Sequence, residues 1–231
     1  MINRYSRQLL FPGIGKEGQR KLGKSSAVII GCGALGTIIA TSLVRAGIGE
    51  VKIIDRDFIE YHNLQRQVLL DEEDIKNELP KAIAAERHLR KVNSSVEIKG
   101  IVTDANYANI ERLVTGSDLI LDGLDNLETR FLINDISLKL KIPWIYGGAV
   151  SASGMTLNII PDRTSCFRCV FPSLSHPGII HTCDTAGVIS PAPFIIGSLQ
   201  SAEAMKILVN AKEISHDVIV IDVWQGTFRR F

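Results

Sequence analysis

Gly31-Cys32-Gly33-Ala34-Leu35-Gly36 follows the apolar run Ala27-Val28-Ile29-Ile30, and Asp55 closes the next apolar run, Val51-Lys52-Ile53-Ile54. A glycine-rich turn between a strand and a helix leaves a chain few folds to choose from. The helix must open its first backbone N–H groups at the end of the strand, and those donors with the helix dipole form an anion site. Gly31 permits the tight turn, Gly33 lets a phosphate approach the backbone, and Gly36 lets the helix pack on the sheet. Asp55, about twenty residues on, falls where a carboxylate accepts hydrogen bonds from ribose hydroxyls. Strand, loop, helix and acid in this order specify a nucleotide site, without separating NAD, FAD and ATP.

The alternation continues along the chain. Apolar runs predict strands over 27–30, 51–54, 96–102, 118–122 and 144–146, and periodicity predicts helices over 14–22, 35–46, 81–92, 109–114 and 127–140. Pro80 stands at the start of the 81–92 helix, where proline is best tolerated. This is the pattern of an α/β, Rossmann-like, doubly wound and mainly parallel sheet. After Gly148 the rhythm changes, and runs at 156–160 and 218–223 predict added antiparallel strands. Between them a helix over 194–209 places Ile195, Leu199, Ala202, Met205 and Val209 on one face, read as core. No linker divides the chain, so one domain is expected over 1–231. Residues 173–188 read as a long mobile loop.

Composition narrows the setting. Over 231 residues, 26 basic and 25 acidic side chains give a net charge of +1, so no broad field recruits nucleic acid or an anionic membrane. No apolar stretch approaches the ~20 residues of a membrane helix, and the first residues hold no signal-peptide core. Four cysteines make no disulfide scaffold in a chain of this length. A soluble, cytoplasmic protein is expected.

Further residues ask for more than a dinucleotide. Arg66 and Lys81 follow the second strand, and Asp125 lies just beyond the fourth. Strand C-termini gather along one edge of a doubly wound sheet, so Asp55, Arg66, Lys81 and Asp125 can converge there. Two cations suit β- and γ-phosphates, Asn63 suits ribose or phosphate, and Asp125 suits Mg²⁺. The ordered motifs Arg4-Tyr5-Ser6-Arg7-Gln8, Asn63-Leu64-Gln65-Arg66-Gln67, Pro80-Lys81-Ala82, Leu121-Asp122-Gly123-Leu124-Asp125-Asn126 with Arg130, Cys166-Phe167-Arg168-Cys169, Cys183-Asp184-Thr185-Ala186-Gly187 and Gly197-Ser198-Leu199-Gln200 span the chain. With them the sequence closely resembles the ThiF/MoeB/HesA family, bacterial relatives of the ubiquitin-activating enzymes. Trp144-Ile145-Tyr146-Gly147 and the Cys183 segment look most like the thiamin-pathway members.

The resemblance implies ATP-dependent adenylylation of the C-terminal glycine carboxylate of a ubiquitin-fold sulfur carrier ending in Gly-Gly, in thiamin or molybdenum cofactor synthesis. It implies that Gly31, Gly33, Ala34, Gly36, Asp55, Asn63, Arg66, Lys81, Asp125 and Asn126 bind MgATP. It also implies a homodimer in which Arg7 reaches a partner's site, and brings a sulfurtransferase into view as a further partner. Residue chemistry agrees: the attacking carboxylate is ionised near neutral pH, so no general base is needed, and fixed positive charge does the rest. Cys166 and Cys169 form a CxxC suited to zinc, but relatives close that site with a second CxxC that the sequence does not show. Cys183 is open between an unreactive loop thiol and an acyl or sulfur acceptor. The competing readings are an NAD-dependent oxidoreductase, which leaves Arg66, Lys81 and Asp125 idle, a non-catalytic scaffold, and other adenylating relatives such as a tRNA-threonylcarbamoyladenosine dehydratase or a peptide-modifying enzyme.

Overall fold

Strand β1 (Ser26–Ile30) is buried from its second residue onward and sends successive side chains to opposite sides of a sheet. Ala27 and Ile29 enter one apolar cluster, Val28 and Ile30 another. A strand apolar at every position needs a layer over each face, which is the demand a doubly wound sheet meets. The computed structural model describes residues 4–172 and 183–231, the side chains of Cys183 and Asp184 excepted.

The other strands are β2 (Glu50–Ile54), β3 (Glu97–Ile101), β4 (Leu119–Asp122), β5 (Trp144–Val150), β6 (Ser153–Ile159), β7 (Ile219–Asp222) and β8 (Thr227–Arg230). They form one eight-stranded sheet in the order β3-β2-β1-β4-β5-β6-β7-β8. Strands β1 to β5 run parallel, and β6, β7 and β8 add antiparallel pairs. The mixed sheet is thus the one expected, with β8 an addition that the sequence pattern did not announce.

Helices Ala34–Ala46, Lys81–Val92 and Pro191–Val209 cover one face through Leu35, Ile39, Leu43, Leu89, Ile196 and Leu208. Leu127–Leu140 covers the other, where the rings of Phe131, Trp144, Tyr146 and Phe167 pack edge to face or tilted, with centroids 5.0–6.2 Å apart. Burying each such side chain is worth roughly 1.5–3 kcal/mol. Among the described residues no helix is long and apolar enough to cross a membrane.

One expectation needs correction, and another is reached only in part. In Pro191–Val209, Ile195 is 43% exposed and Ala202 is exposed, while Ile196, Gln200, Glu203 and Ala204 are buried. The helix is apolar on nearly every side, so the stripe does not reveal which side faces the sheet. The buried polar pair is held by bonds: Gln200 Nε2 donates to Asp122 O at 2.9 Å, and Glu203 accepts from Asn158 Nδ2 at 2.7 Å. Of the 173–188 loop, residues 173–182 lie outside the described residues. Cys183–Ala186 is a helical turn, and beyond it Ser151 accepts from Ile189 N–H and donates to Gly187 O, tying the segment to the end of β5.

Candidate active site

Register places the glycine turn. Ile30 pairs with Ile54 and with Asp122, so Gly31, Asp55 and Gly123 all follow the same row of the parallel sheet. Gly31 N–H donates to Ile54 O and Gly123 N–H to Ile30 O, each at 2.8 Å. Gly31 has φ +95°, and a Cβ there would overlap the Gly123 carbonyl, so only glycine serves. A Cβ on Gly36 would overlap the Gly31 carbonyl in the same way. Gly36 therefore packs the helix against the turn and does not line the cavity, which moves it from the ligand-binding set to the supporting framework.

At this carboxyl edge lies a cavity of about 840 Å³, within the size range of small-ligand sites. Its wall includes Gly31, Gly33, Ala34, Asp55, Asn63, Arg66, Lys81, Asp125 and Asn126. Nine of the ten residues read from the sequence as nucleotide ligands thus converge on one space.

The backbone holds Asp55 by both oxygens, from Cys32 N–H at 2.6 Å and Asp57 N–H at 2.7 Å. Burial pushes its pKa up, against the pull of those two N–H groups and of Lys81. Lys81 is 7% exposed and its Nζ lies 3.1 Å from Asp57 Oδ2. Arg66 is half-buried, with Nη1 donating to His62 O at 2.9 Å. Asn63 is buried, and its Oδ1 accepts from Glu60 N–H at 3.0 Å, closing the short Tyr61–Asn63 turn. Pro80 precedes the first helical residue rather than occupying it, at φ −60°. Cys32 is fully buried with its thiol pKa raised mainly by burial, a packing residue and not a nucleophile.

Across the cavity Asp125 is exposed, and Asn126 caps the Leu127–Leu140 helix by accepting Thr129 N–H at 3.0 Å. Under them lies an ion pair whose role the sequence did not disclose. Arg130 Nε donates to Asp122 Oδ2 at 2.9 Å, and Nη2 to the carbonyls of Leu124 (2.6 Å) and Gly147 (2.9 Å). Burial opposes the Arg130 charge, but Asp122, joined by Tyr146 and Asp125, holds its pKa above the ordinary value. The pair braces the turn that presents Asp125. An arm lined by Gly148, Val150, Met155, Val188, Pro193 and Val220 continues the cavity along β5 and β6.

The remaining predicted site residues lie elsewhere. Arg7 is exposed in the Ser6–Leu9 turn, where its neighbour Gln8 donates Nε2 to Ala46 O at 2.9 Å. Ala46 ends a helix leading into β2, so Arg7 occupies the edge where strands begin, opposite its own chain's cavity. Cys166 and Cys169 bring their sulfurs to 3.4 Å, but among the described residues no third potential ligand joins them. Two thiolates are half a structural zinc tetrahedron, so they do not by themselves fit that metal. Elemental analysis of this chain should find well under one zinc per molecule. A stoichiometric zinc resistant to chelators would require ligands from another segment or subunit. The Cys183 side chain lies outside the described residues.

Fold and cavity define a class: a doubly wound α/β protein with a glycine turn at a helix start, cations and a carboxylate around one cleft. A profile of the ThiF family matches residues 5–231, and the chain belongs to that family. It is 47% identical over 226 residues to the sulfur carrier protein ThiS adenylyltransferase of Bacillus subtilis, covering 98% of this chain and 66% of that protein. It is 33% identical to the sulfur carrier protein adenylyltransferase of Thermus thermophilus, covering 99% and 86%. Among solved structures it is similar to E. coli MccB crystallised with ATP, with a TM-score of 0.86 and 25% identity over 100% of this chain and 71% of that one.

Proposed function

We propose that residues 1–231 act as one adenylation unit that joins AMP to the C-terminal glycine carboxylate of a ubiquitin-fold sulfur carrier ending in Gly-Gly. The observation that carries this reading is the meeting of Arg66, Lys81 and Asp125 with the glycine turn in one cavity. The relatives named for sulfur carrier adenylylation, and the MccB structure with ATP, support the same nucleotide and reaction. An NAD-dependent oxidoreductase would have no use for those charges.

In this reaction a carrier carboxylate oxygen bonds to the α-phosphorus, and the bond to the bridging oxygen breaks with its electron pair leaving on pyrophosphate. Both partners are anions, so the barrier is repulsion and charge accumulating on the leaving group. The N–H groups after Gly33 receive the phosphates, Asp55 receives the ribose hydroxyls, and Arg66 and Lys81 offset the leaving charge. The apolar arm past Gly148 and Val188 suits an extended, side-chain-poor carrier tail. Mg²⁺ takes one or two carboxylates and completes its shell with phosphate oxygens and water. A single exposed Asp125 fits that demand and would hold the ion, which supplies positive charge to the phosphates. Cys183 is assigned a step after adenylate formation, which the cavity itself does not require. The working form is a homodimer in the cytoplasm; a sulfurtransferase would draw on the adenylate.

Exchange of radiolabelled pyrophosphate into ATP, in the presence of Mg²⁺ and a Gly-Gly carrier, tests the reading directly. Exchange is expected, with an acyl-adenylate visible by mass; its absence with both thiamin- and molybdenum-type carriers would overturn the proposal. Arg66→Ala and Lys81→Ala should each cut kcat/KM by about 10²-fold, acting on binding and turnover together. A rise in KM alone would restrict them to ground-state binding.

A further inference from the structure

Strands β4 and β5 separate at a definite point. Their register ends at Leu121↔Ile145, and the next rung of a parallel ladder would send Gly147 N–H to Asp122 O. Gly147 N–H bonds to the Asp122 carboxylate instead. The main-chain oxygen it leaves accepts from Gln200 Nε2 at 2.9 Å, and the same nitrogen lies 3.3 Å from Ile145 O. A side-chain amide from the Pro191–Val209 helix thus fills the apex of a fork. Gln200 is fully buried, and a Cβ on Gly147 would stand 2.3 Å from its Cδ.

One branch of the fork carries Leu124 and Asp125, the other Gly148 and Val150, and all four line the cavity. Arg130 bridges the branches, because its Nη2 donates to both Leu124 O and Gly147 O. Gln200 lies on the opposite side of the sheet. It meets Gly147, whereas Tyr146 and Gly148 on either side of that glycine line the cavity. It therefore reaches neither nucleotide nor carrier. Its Oε1 is buried without a hydrogen-bond partner, a cost that a hydrocarbon of the same length would not carry. What the amide supplies in return is its donor edge, which holds Asp122 O away from Gly147.

We infer that Gln200 is a positioning residue of the adenylylation: by occupying Asp122 O it stops β4 and β5 from pairing one rung further, and so holds open the fork through which the carrier's Gly-Gly end reaches the nucleotide. This rests on the adenylation reading above. Without the amide, Gly147 N–H can close on Asp122 O. That rung would draw the branch carrying Gly148 toward the spacing of paired strands, about 4.8 Å, and narrow the entry on the carrier's side. The glycine turn, Asp55 and Lys81 belong to β1, β2 and the Lys81–Val92 helix, which take no part in the fork. The loss should fall on the carrier and spare ATP.

The test measures pyrophosphate exchange at saturating MgATP with a Gly-Gly carrier varied, and ATP affinity by equilibrium titration. Gln200→Met keeps the side chain's length and removes the amide. It should raise the carrier KM about tenfold, the scale of one net hydrogen bond, while ATP affinity changes by less than about threefold. Gly147→Ala reaches the same apex from the other side, since its Cβ must displace the amide, and should give the same split. The double variant should be no worse than either single one, because both remove one and the same contact. Equal losses in carrier KM and ATP affinity would reduce Gln200 to a general packing role and overturn the inference. So would single effects that multiply in the double variant, an unchanged carrier KM, or loss of the fold in both single variants. If the unaltered chain does not exchange at all, the adenylation reading fails and takes this assignment with it.

Discussion

Asp125→Ala should lower Mg²⁺-dependent adenylylation by roughly 10³-fold while the chain stays folded. The two halves of that expectation have separate causes. Asp125 is exposed on the turn between β4 and the Leu127–Leu140 helix. That helix is started by Asn126, and the turn is held by Arg130 on Leu124 O. Neither support passes through the Asp125 carboxylate, so the stability change should stay within about 0.5 kcal/mol. Function is another matter, because no neighbouring carboxylate on that wall replaces the lost oxygen donor: Asp122 is fully buried in its pair with Arg130. Pyrophosphate exchange and thermal unfolding, run on the same preparation, separate the two effects. Near-normal exchange would remove Asp125 from the metal's shell. A large fall in melting temperature would mean the turn depends on the carboxylate after all. Asp125→Asn keeps one oxygen, and part of its lost rate should return as Mg²⁺ is raised.

The parts of this molecule legible from sequence were those governed by local chemistry. The 81–92 and 127–140 helices were read with their observed bounds, Pro80 marking the start of the first. The glycine turn was legible because φ and close approach leave no substitute for Gly31 or Gly36. The convergence of Asp55, Lys81 and Asp125 followed from one rule, that parallel strands end together. What escaped notice depends on tertiary placement. The Pro191–Val209 helix has apolar residues on too many sides for a stripe to choose its face, and Gln200 sits inside only because Asp122 O receives it. Strand β8 carries four exposed residues, two of them arginine, and no alternation announces it. Arg130 reads as an ordinary helix cation until Asp122, Leu124 and Gly147 are seen to surround it. Gln200 was quoted within a motif, but its orphaned oxygen exists only in three dimensions.

Arg7 poses a geometric problem that a second copy of the chain would resolve. It lies among residues that bind the far edge of the sheet: Tyr5 accepts from Asn93 Nδ2 at 2.9 Å, and Gln8 reaches Ala46 O. A strand of five residues separates that edge from the cavity, about 16 Å at 3.3 Å per residue. Arg7 therefore cannot serve its own chain's phosphates without unfolding its turn. Leu10 and Phe11 beside it are 72% and 60% exposed, an apolar surface that a closed two-fold interface would cover. In such a dimer each site receives Arg7 from across the boundary. Arg7→Ala and Asp125→Ala homodimers should then both be nearly inactive. Refolded together in equal amounts, half the dimers are mixed, and each mixed dimer holds one doubly damaged site and one intact site. Activity should return to ~25% of the unaltered dimer if the two sites act independently. Were Arg7 to act within its own chain, every site in every mixed dimer would carry one lesion, and no activity would return. Mass analysis confirming mixed dimers without recovery would therefore place Arg7 in its own chain's site, full activity of the Arg7→Ala homodimer would place it outside the reaction, and recovery near one quarter would require that the arginine come from the partner.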